Sequence, residues 1–101
     1  MKITFSVLFL LVVVAFAGLT ANAQKTRCRV ADPTGTRLNV RATGASNGRI
    51  VAKLSNDTLV RVEYWTKDPV TAEPWAKISV FRVRKWVPIG FVFGEYLDCA
   101  Y

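Results

Sequence analysis

Histidine is absent from this chain of 101 residues, and that absence removes much of the chemistry a small protein can perform. No Ser-His or Cys-His nucleophile pair can be assembled without an imidazole. The seven carboxylates, Asp32, Asp57, Glu63, Asp68, Glu73, Glu95 and Asp98, are dispersed, and no two stand at a spacing that suggests the paired acids of a glycosidase. Metal-ligand spacing is missing, and no glycine-rich phosphate loop leads into a helix. The chain therefore reads as a non-enzyme that needs no cofactor and no metal. What remains is recognition. Tyr64, Trp65, Trp86 and Tyr96 offer aromatic contact area, and Asp32, Thr34 and Arg37 offer polar groups on one early loop. Together they compose the predicted ligand-binding set, since small-ligand grooves combine aromatic walls with a few orienting polar groups. Trp75 is read as core, because a domain this small must bury some of its tryptophan.

The two cysteines, Cys28 and Cys99, can be judged only once the compartment is known. Met1–Lys2 supply a positive start, residues 3–19 are almost wholly apolar, and "TANA" (20–23) ends in small residues at an A-x-A spacing. This is the layout of a secretory signal peptide cut after Ala23. A transmembrane anchor is the competing reading, but the apolar run falls short of the roughly 20 residues needed to span hydrocarbon, and no basic cluster follows it directly. The predicted location is thus periplasmic or secreted, with no stable membrane anchor after cleavage. In an exported chain an even cysteine count reads as a disulfide. There is no C-x-x-C and no histidine to favour a metal or redox pair. Closing a loop of about 70 residues contributes roughly 4 kcal/mol on the chain-entropy model.

Removing residues 1–23 leaves 78 residues, 24–101, enough for one domain. Such a domain buries only about 60% of its unfolded surface, so the disulfide matters. Without Lys2, thirteen basic residues face seven acidic ones, a net charge of +6. The cations are scattered singly except for "RVRK" (82–85), which favours a generally basic surface. A polyanion site using Lys25, Arg27, Arg29 and residues 82–85 is the sharper alternative. Export makes nucleic acid an unexpected partner and anionic envelope polymers a more suitable one.

No stretch after residue 24 has helical periodicity. Apolar residues recur at period two between turn residues. "CRVA" (28–31) reads as a strand ended by the turn chemistry of "DPTGT" (32–36). "LNVRA" (38–42) and "RIVAKL" (49–54) flank the glycine-bounded loop "TGASNG" (43–48), with Ile50, Ala52 and Leu54 on one face. "SND" (55–57) turns into "TLVRVEYW" (58–65), with Leu59 facing the core. After the polar loop 66–74, residues 75–99 are rich in β-branched and aromatic types. "RVRK" is the predicted hairpin tip, Pro88 confines its strand to an edge or ends it, and "GEY" (94–96) suits a 3₁₀ turn before a final strand "LDC". The predicted fold is all-β: a small SH3-like β-barrel of five to seven short strands, closed by the terminal disulfide.

The order "LNVR", Gly-bounded loop, "RIVAKLSNDTLVRV", "WAKI", "GFVFGEYL" resembles the bacterial SH3 (SH3b) family over residues 28–99. Departures are "ATG" after "LNVR", Asp57 where glycine is common, Phe91 where tryptophan is usual, and a longer, more hydrophobic 78–89. The resemblance implies that "LNVR" is the first core strand. Physical reading adds that Leu38 and Val40 point inward, Asn39 holds the preceding loop through hydrogen bonds, and Arg41 pairs with Glu95 or Asp57. The resemblance also implies a non-catalytic exported module that recognises cell-wall peptide or peptidoglycan, or another short extended peptide. The alternative is an interaction subunit or inhibitor of an exported enzyme, docking through the hydrophobic segment 78–93.

Overall fold

The computed structural model describes residues 25–100; the predicted signal peptide and its cleavage site lie outside the described residues. The all-β prediction holds. Seven antiparallel strands form one sheet in the order β3-β2-β6-β5-β4-β1-β7, curled into a half-barrel. The strands are β1 (Arg27–Val30), β2 (Leu38–Arg41), β3 (Ile50–Leu54), β4 (Leu59–Lys67), β5 (Pro74–Arg82), β6 (Lys85–Phe93) and β7 (Leu97–Asp98), with a 3₁₀ turn at Gly94–Tyr96 before β7. Period-two patterning put each strand within a few residues of its place because only alternation lets one face go dry.

Among the described residues the core is a single cluster. Cys28, Val30, Leu38, Val40, Leu54, Val60, Val62, Ala76, Ile78, Val80 and Val92 are all buried, and Ala52, Ile89, Tyr96, Leu97 and Cys99 pack against it. Leu38 and Val40 are inside, and Trp75 is buried, as the sequence implied. Two phase assignments need correction. In β4 it is Val60 and Val62 that are buried, while Leu59 is only half-buried. Apolar residues stand on both parities of "LVRV", and the pairing of β4 with β1 and β5 decides between them. On β3, Leu54 is buried and Ala52 half-buried, but Ile50 is 44% exposed. β3 is an edge strand, and Ile50 sits beyond the irregularity at Val40/Arg41 where the β2–β3 register slips.

Two more register shifts, at Val62/Tyr64 between β4 and β5 and at Ile78/Ser79 between β5 and β6, interrupt the long strands. An extra residue on one strand bends it and increases the local twist, so these three places supply the curl. The β5–β6 shift also explains Pro88. Far from ending its strand, Pro88 lies inside β6, opposite Ser79 and next to the slip. Proline is tolerated at bulges, and β2 meets β6 only at Arg41 and Phe91, so the Pro88 half of β6 pairs on one side. That approach needs Gly90. A Cβ there would stand 2.6 Å from the Arg41 carbonyl oxygen and 2.9 Å from Val40 Cγ1, and its φ of +145° is one that side-chain-bearing residues rarely adopt.

The hairpin tip falls where predicted. Arg82 pairs with Lys85 across Val83 and Arg84, whose φ values are +49° and +64°. Two left-handed central residues give the hairpin turn whose twist matches the strands. The Cys28–Cys99 disulfide is present and ties β1 to the residue just after β7, strands already paired through Arg29–Asp98 and Val30–Leu97.

Candidate functional site

A cleft of about 300 Å³ opens beside the start of β2. Its floor is apolar: Leu38, Trp75, Phe93 and Tyr96. The rings interlock edge-on, with Trp75 and Phe93 centroids 5.8 Å apart and Phe93 and Tyr96 centroids 5.0 Å apart, an arrangement aromatic quadrupoles favour. Trp75 enters from β5, Phe93 from the end of β6 and Tyr96 from the 3₁₀ turn. Its rim is polar: Asp32, Asn39, Arg41, Ser46 and Glu73. Two carboxylates against one guanidinium make this cleft locally acidic on a strongly basic chain.

The loop before β2 is built around Asp32. Its Oδ1 accepts the Thr34 backbone N–H at 2.9 Å and the Thr34 hydroxyl at 2.6 Å, a local turn that Asp is suited to make. Asn56, from the β3–β4 turn, clasps the Asp32 backbone: the Asp32 N–H donates to Asn56 Oδ1 at 2.8 Å and Asn56 Nδ2 donates to the Asp32 carbonyl at 3.3 Å. The role expected of Asn39 thus belongs to Asn56 and Asp32. The Asn39 side chain has no hydrogen-bond partner among the described residues and faces the cleft instead. Arg41 is corrected too. Its Nη1 donates to the Gly48 carbonyl at 2.7 Å, bracing the loop 42–49 rather than pairing with Glu95 or Asp57. That loop is closed further by the Ala42 N–H to Arg49 carbonyl bond at 2.8 Å.

Asp68 joins this loop to the one between β4 and β5. The Val70 and Thr71 N–H groups donate to its Oδ1 at 2.8 and 3.2 Å, and the Ser46 N–H to its Oδ2 at 3.2 Å. The bond from Val70, helped by those from Thr71 and Ser46 and opposed by burial, holds the Asp68 carboxyl below its ordinary range. A second, wider cleft of about 540 Å³ lies outside this brace, between the 42–47 loop and Tyr64, Thr66, Lys67 and Phe91. Tyr64 meets Phe91 edge-on at 6.1 Å, and the Lys77 ammonium sits 4.8 Å from the Phe91 ring centre.

The seven residues predicted to bind a ligand do not share one groove. Asp32 and Tyr96 line the first cleft, and Tyr64, 53% exposed, lines the second. Trp65, 50% exposed, lies over Gly94, where a Cβ would come within 2.7 Å of its ring. Trp86 is near the hairpin tip, flanked by the Arg27 and Arg61 guanidiniums at 5.6 and 5.2 Å. Thr34 and Arg37 are exposed on the first loop and line neither cleft. Period-two reasoning cannot tell which end of a strand an aromatic occupies, so residues from both ends were grouped. Phe93 and Glu73 were missed. Phe93 stands three residues before Tyr96 across the 3₁₀ turn, a spacing at which side chains align, and that signal was available.

Among the described residues no group of three or more His, Cys, Asp or Glu could hold a metal ion. No family model, no curated protein and no solved structure matches this chain.

Proposed function

We propose that this chain is a non-catalytic exported binding module that takes a short extended peptide, such as the peptide of cell-wall peptidoglycan, in the cleft beside β2. The observation that carries this reading is the pairing of an aromatic floor (Trp75, Phe93, Tyr96) with a rim of polar groups left available, Asn39 foremost. Aromatic surface supplies contact area, and a few polar groups fix orientation. The two carboxylates, Asp32 and Glu73, suit a ligand bearing an ammonium group, while Arg41 suits its carboxylate. The sequence resemblance to the SH3b family, whose members are associated with wall and peptide recognition, supports the same reading, as does the half-barrel fold.

The test is retention of the chain from Gln24 onward, disulfide intact, on purified peptidoglycan sacculi at low and high salt. Retention at both salts that is lost in Asn39→Ala and Tyr96→Ala supports the cleft. Retention at low salt alone, unchanged by those substitutions, reduces the interaction to net charge and ends the proposal. The alternative of an interaction subunit or inhibitor docking through residues 78–93 draws less support. Ile78, Val80 and Val92 are committed to the core, which leaves Phe81 and Val83 as the exposed large hydrophobics of that segment, Phe81 only partly so.

A further inference from the structure

The β5–β6 hairpin ends in a tip whose composition is unusual for a solvent-facing turn. Val83 is 91% exposed and Phe81 58% exposed, and between and beside them stand Arg82, Arg84 and Lys85, all exposed. No acidic residue occurs from residue 74 to residue 94. Behind the tip, the Trp86 ring meets Phe81 at a tilt of 60° with centroids 5.4 Å apart and is flanked by Arg27 and Arg61. The acid near these cations, Glu63, is already bound by Arg61 and Lys25. The tip is also strained. Val83 has φ +49°, a region that β-branched residues avoid and that Asn or Gly would occupy at less cost in a two-residue hairpin turn. A strained β-branched residue that stands 91% exposed points to use of its side chain.

We infer that this tip docks reversibly on an anionic phospholipid surface, with Val83 and Phe81 entering the interface and the surrounding cations meeting the head groups. Each part fits that occupant. An apolar tip gains by leaving water, arginine and lysine beside it are drawn to anionic lipid, and tryptophan settles at head-group depth. A soluble polyanion would use the cations but has no use for Val83. At about 3.3 Å per strand residue, the tip lies on the order of 20 Å along β5 from Trp75, so a docked molecule leaves the cleft beside β2 free. The inference does not depend on what that cleft binds.

The experiment is vesicle co-sedimentation of the chain from Gln24 onward, which keeps every strand, the whole core and the disulfide. Vesicles of phosphatidylcholine alone are compared with vesicles containing phosphatidylglycerol. Binding is expected only to the anionic vesicles. Val83→Asn keeps every cation and suits the turn better, so its melting temperature is expected to hold or rise while its vesicle partition falls at least five-fold. Val83→Gly serves as a second turn-compatible variant. Replacing Arg82, Arg84 and Lys85 together by glutamine is expected to abolish binding. No binding to anionic vesicles overturns the inference, as does binding that both Val83 variants leave unchanged, which would assign the tip to a polyanion held by charge alone.

Discussion

Asp68 and Ser46, separated by 22 positions in the chain, are joined by a single carboxylate oxygen: the Ser46 N–H donates to Asp68 Oδ2 at 3.2 Å. The other oxygen takes the N–H groups of Val70 and Thr71. Asp68 therefore sets the spacing of the two loops that carry Ser46 and Glu73, both on the rim of the cleft beside β2. The loop between β4 and β5 is closed around it as well, by the Asp68 N–H to Glu73 carbonyl bond at 2.9 Å and the Ala72 N–H to Asp68 carbonyl bond at 2.9 Å.

Acid should loosen this brace. A carboxyl whose pKa is lowered by folding adds stability above its unfolded pKa, and that stability is lost as pH falls toward the folded value. Asp68 is lowered by its backbone donors. Glu63 is lowered from 4.5 to about 2, first by the Arg61 guanidinium and then by Lys25. The melting temperature is thus expected to fall progressively from about pH 4.5 to about pH 2. Asp68→Asn should be less stable than the parent near neutral pH and show a flatter fall in acid; Glu63→Gln should flatten it over the same window. A thermal-melt series from about pH 7 to pH 2 reads both effects. Superimposable curves for Asp68→Asn and the parent would show that the brace adds nothing.

Reduction of the disulfide should cost more than any surface change. Cys28 and Cys99 close a loop of 71 residues, for which chain-entropy reasoning gives about 2–4 kcal/mol in practice. With a conversion of roughly 4–8 °C per kcal/mol in domains of this size, the Cys28→Ala/Cys99→Ala variant should melt at least about 8 °C lower. Equal melting of the parent with and without reductant would mean that the β1–β7 pairing alone holds the ends together.

Much of this fold was legible because alternation and turn chemistry act locally. "DPTGT" turns the chain, "RVRK" is the tip, "GEY" is the 3₁₀ turn and the cysteines meet. Asp57 has a φ of +70°, a left-handed conformation that aspartate adopts more readily than most side-chain-bearing residues, in keeping with its place in the "SND" turn. The failures share another cause. The register shifts at Val40/Arg41, Val62/Tyr64 and Ile78/Ser79 arise only when strands pair, and no single strand carries their signature. They left Ile50 exposed, and they let Pro88 sit within β6 on a half that pairs on one side only. The candidate site was less legible still, because a cleft joins loops from four places and alternation says nothing about loops.

Gly90 should tolerate no side chain. Its Cβ would meet both the backbone and a side chain of β2, at 2.6 and 2.9 Å, and its φ is +145°. The clash cannot be relieved by rotating a flexible chain end, since the closer atom is the Arg41 carbonyl oxygen. Gly90→Ala is expected to lower stability by about 2 kcal/mol or more, from overpacking and backbone strain together. A denaturant titration reads the loss as a lower midpoint at unchanged slope. A midpoint equal to that of the parent would rule out so close an approach of β2 to β6.

Asn56 and Asn39 offer a contrast that separates holding the cleft from using it. Asn56 makes two hydrogen bonds to the Asp32 backbone, one in each direction, and both are partly shielded from water. Asn56→Ala removes them and leaves the Asp32 N–H short of its partner, while the Asp32 carbonyl keeps the Gly35 N–H, a loss of about 1–2 kcal/mol. Its melting temperature should drop by several degrees, and the first loop should become more open to proteolysis. The Asn39 side chain has no hydrogen-bond partner among the described residues and lines the cleft, so Asn39→Ala should leave the melting temperature within about 2 °C of the parent, as surface substitutions do. Its effect should fall on retention by sacculi. If Asn39→Ala destabilises while Asn56→Ala does not, Asn39 is the residue that holds the loop after all, and the rim loses the polar group on which the peptide-binding proposal most depends.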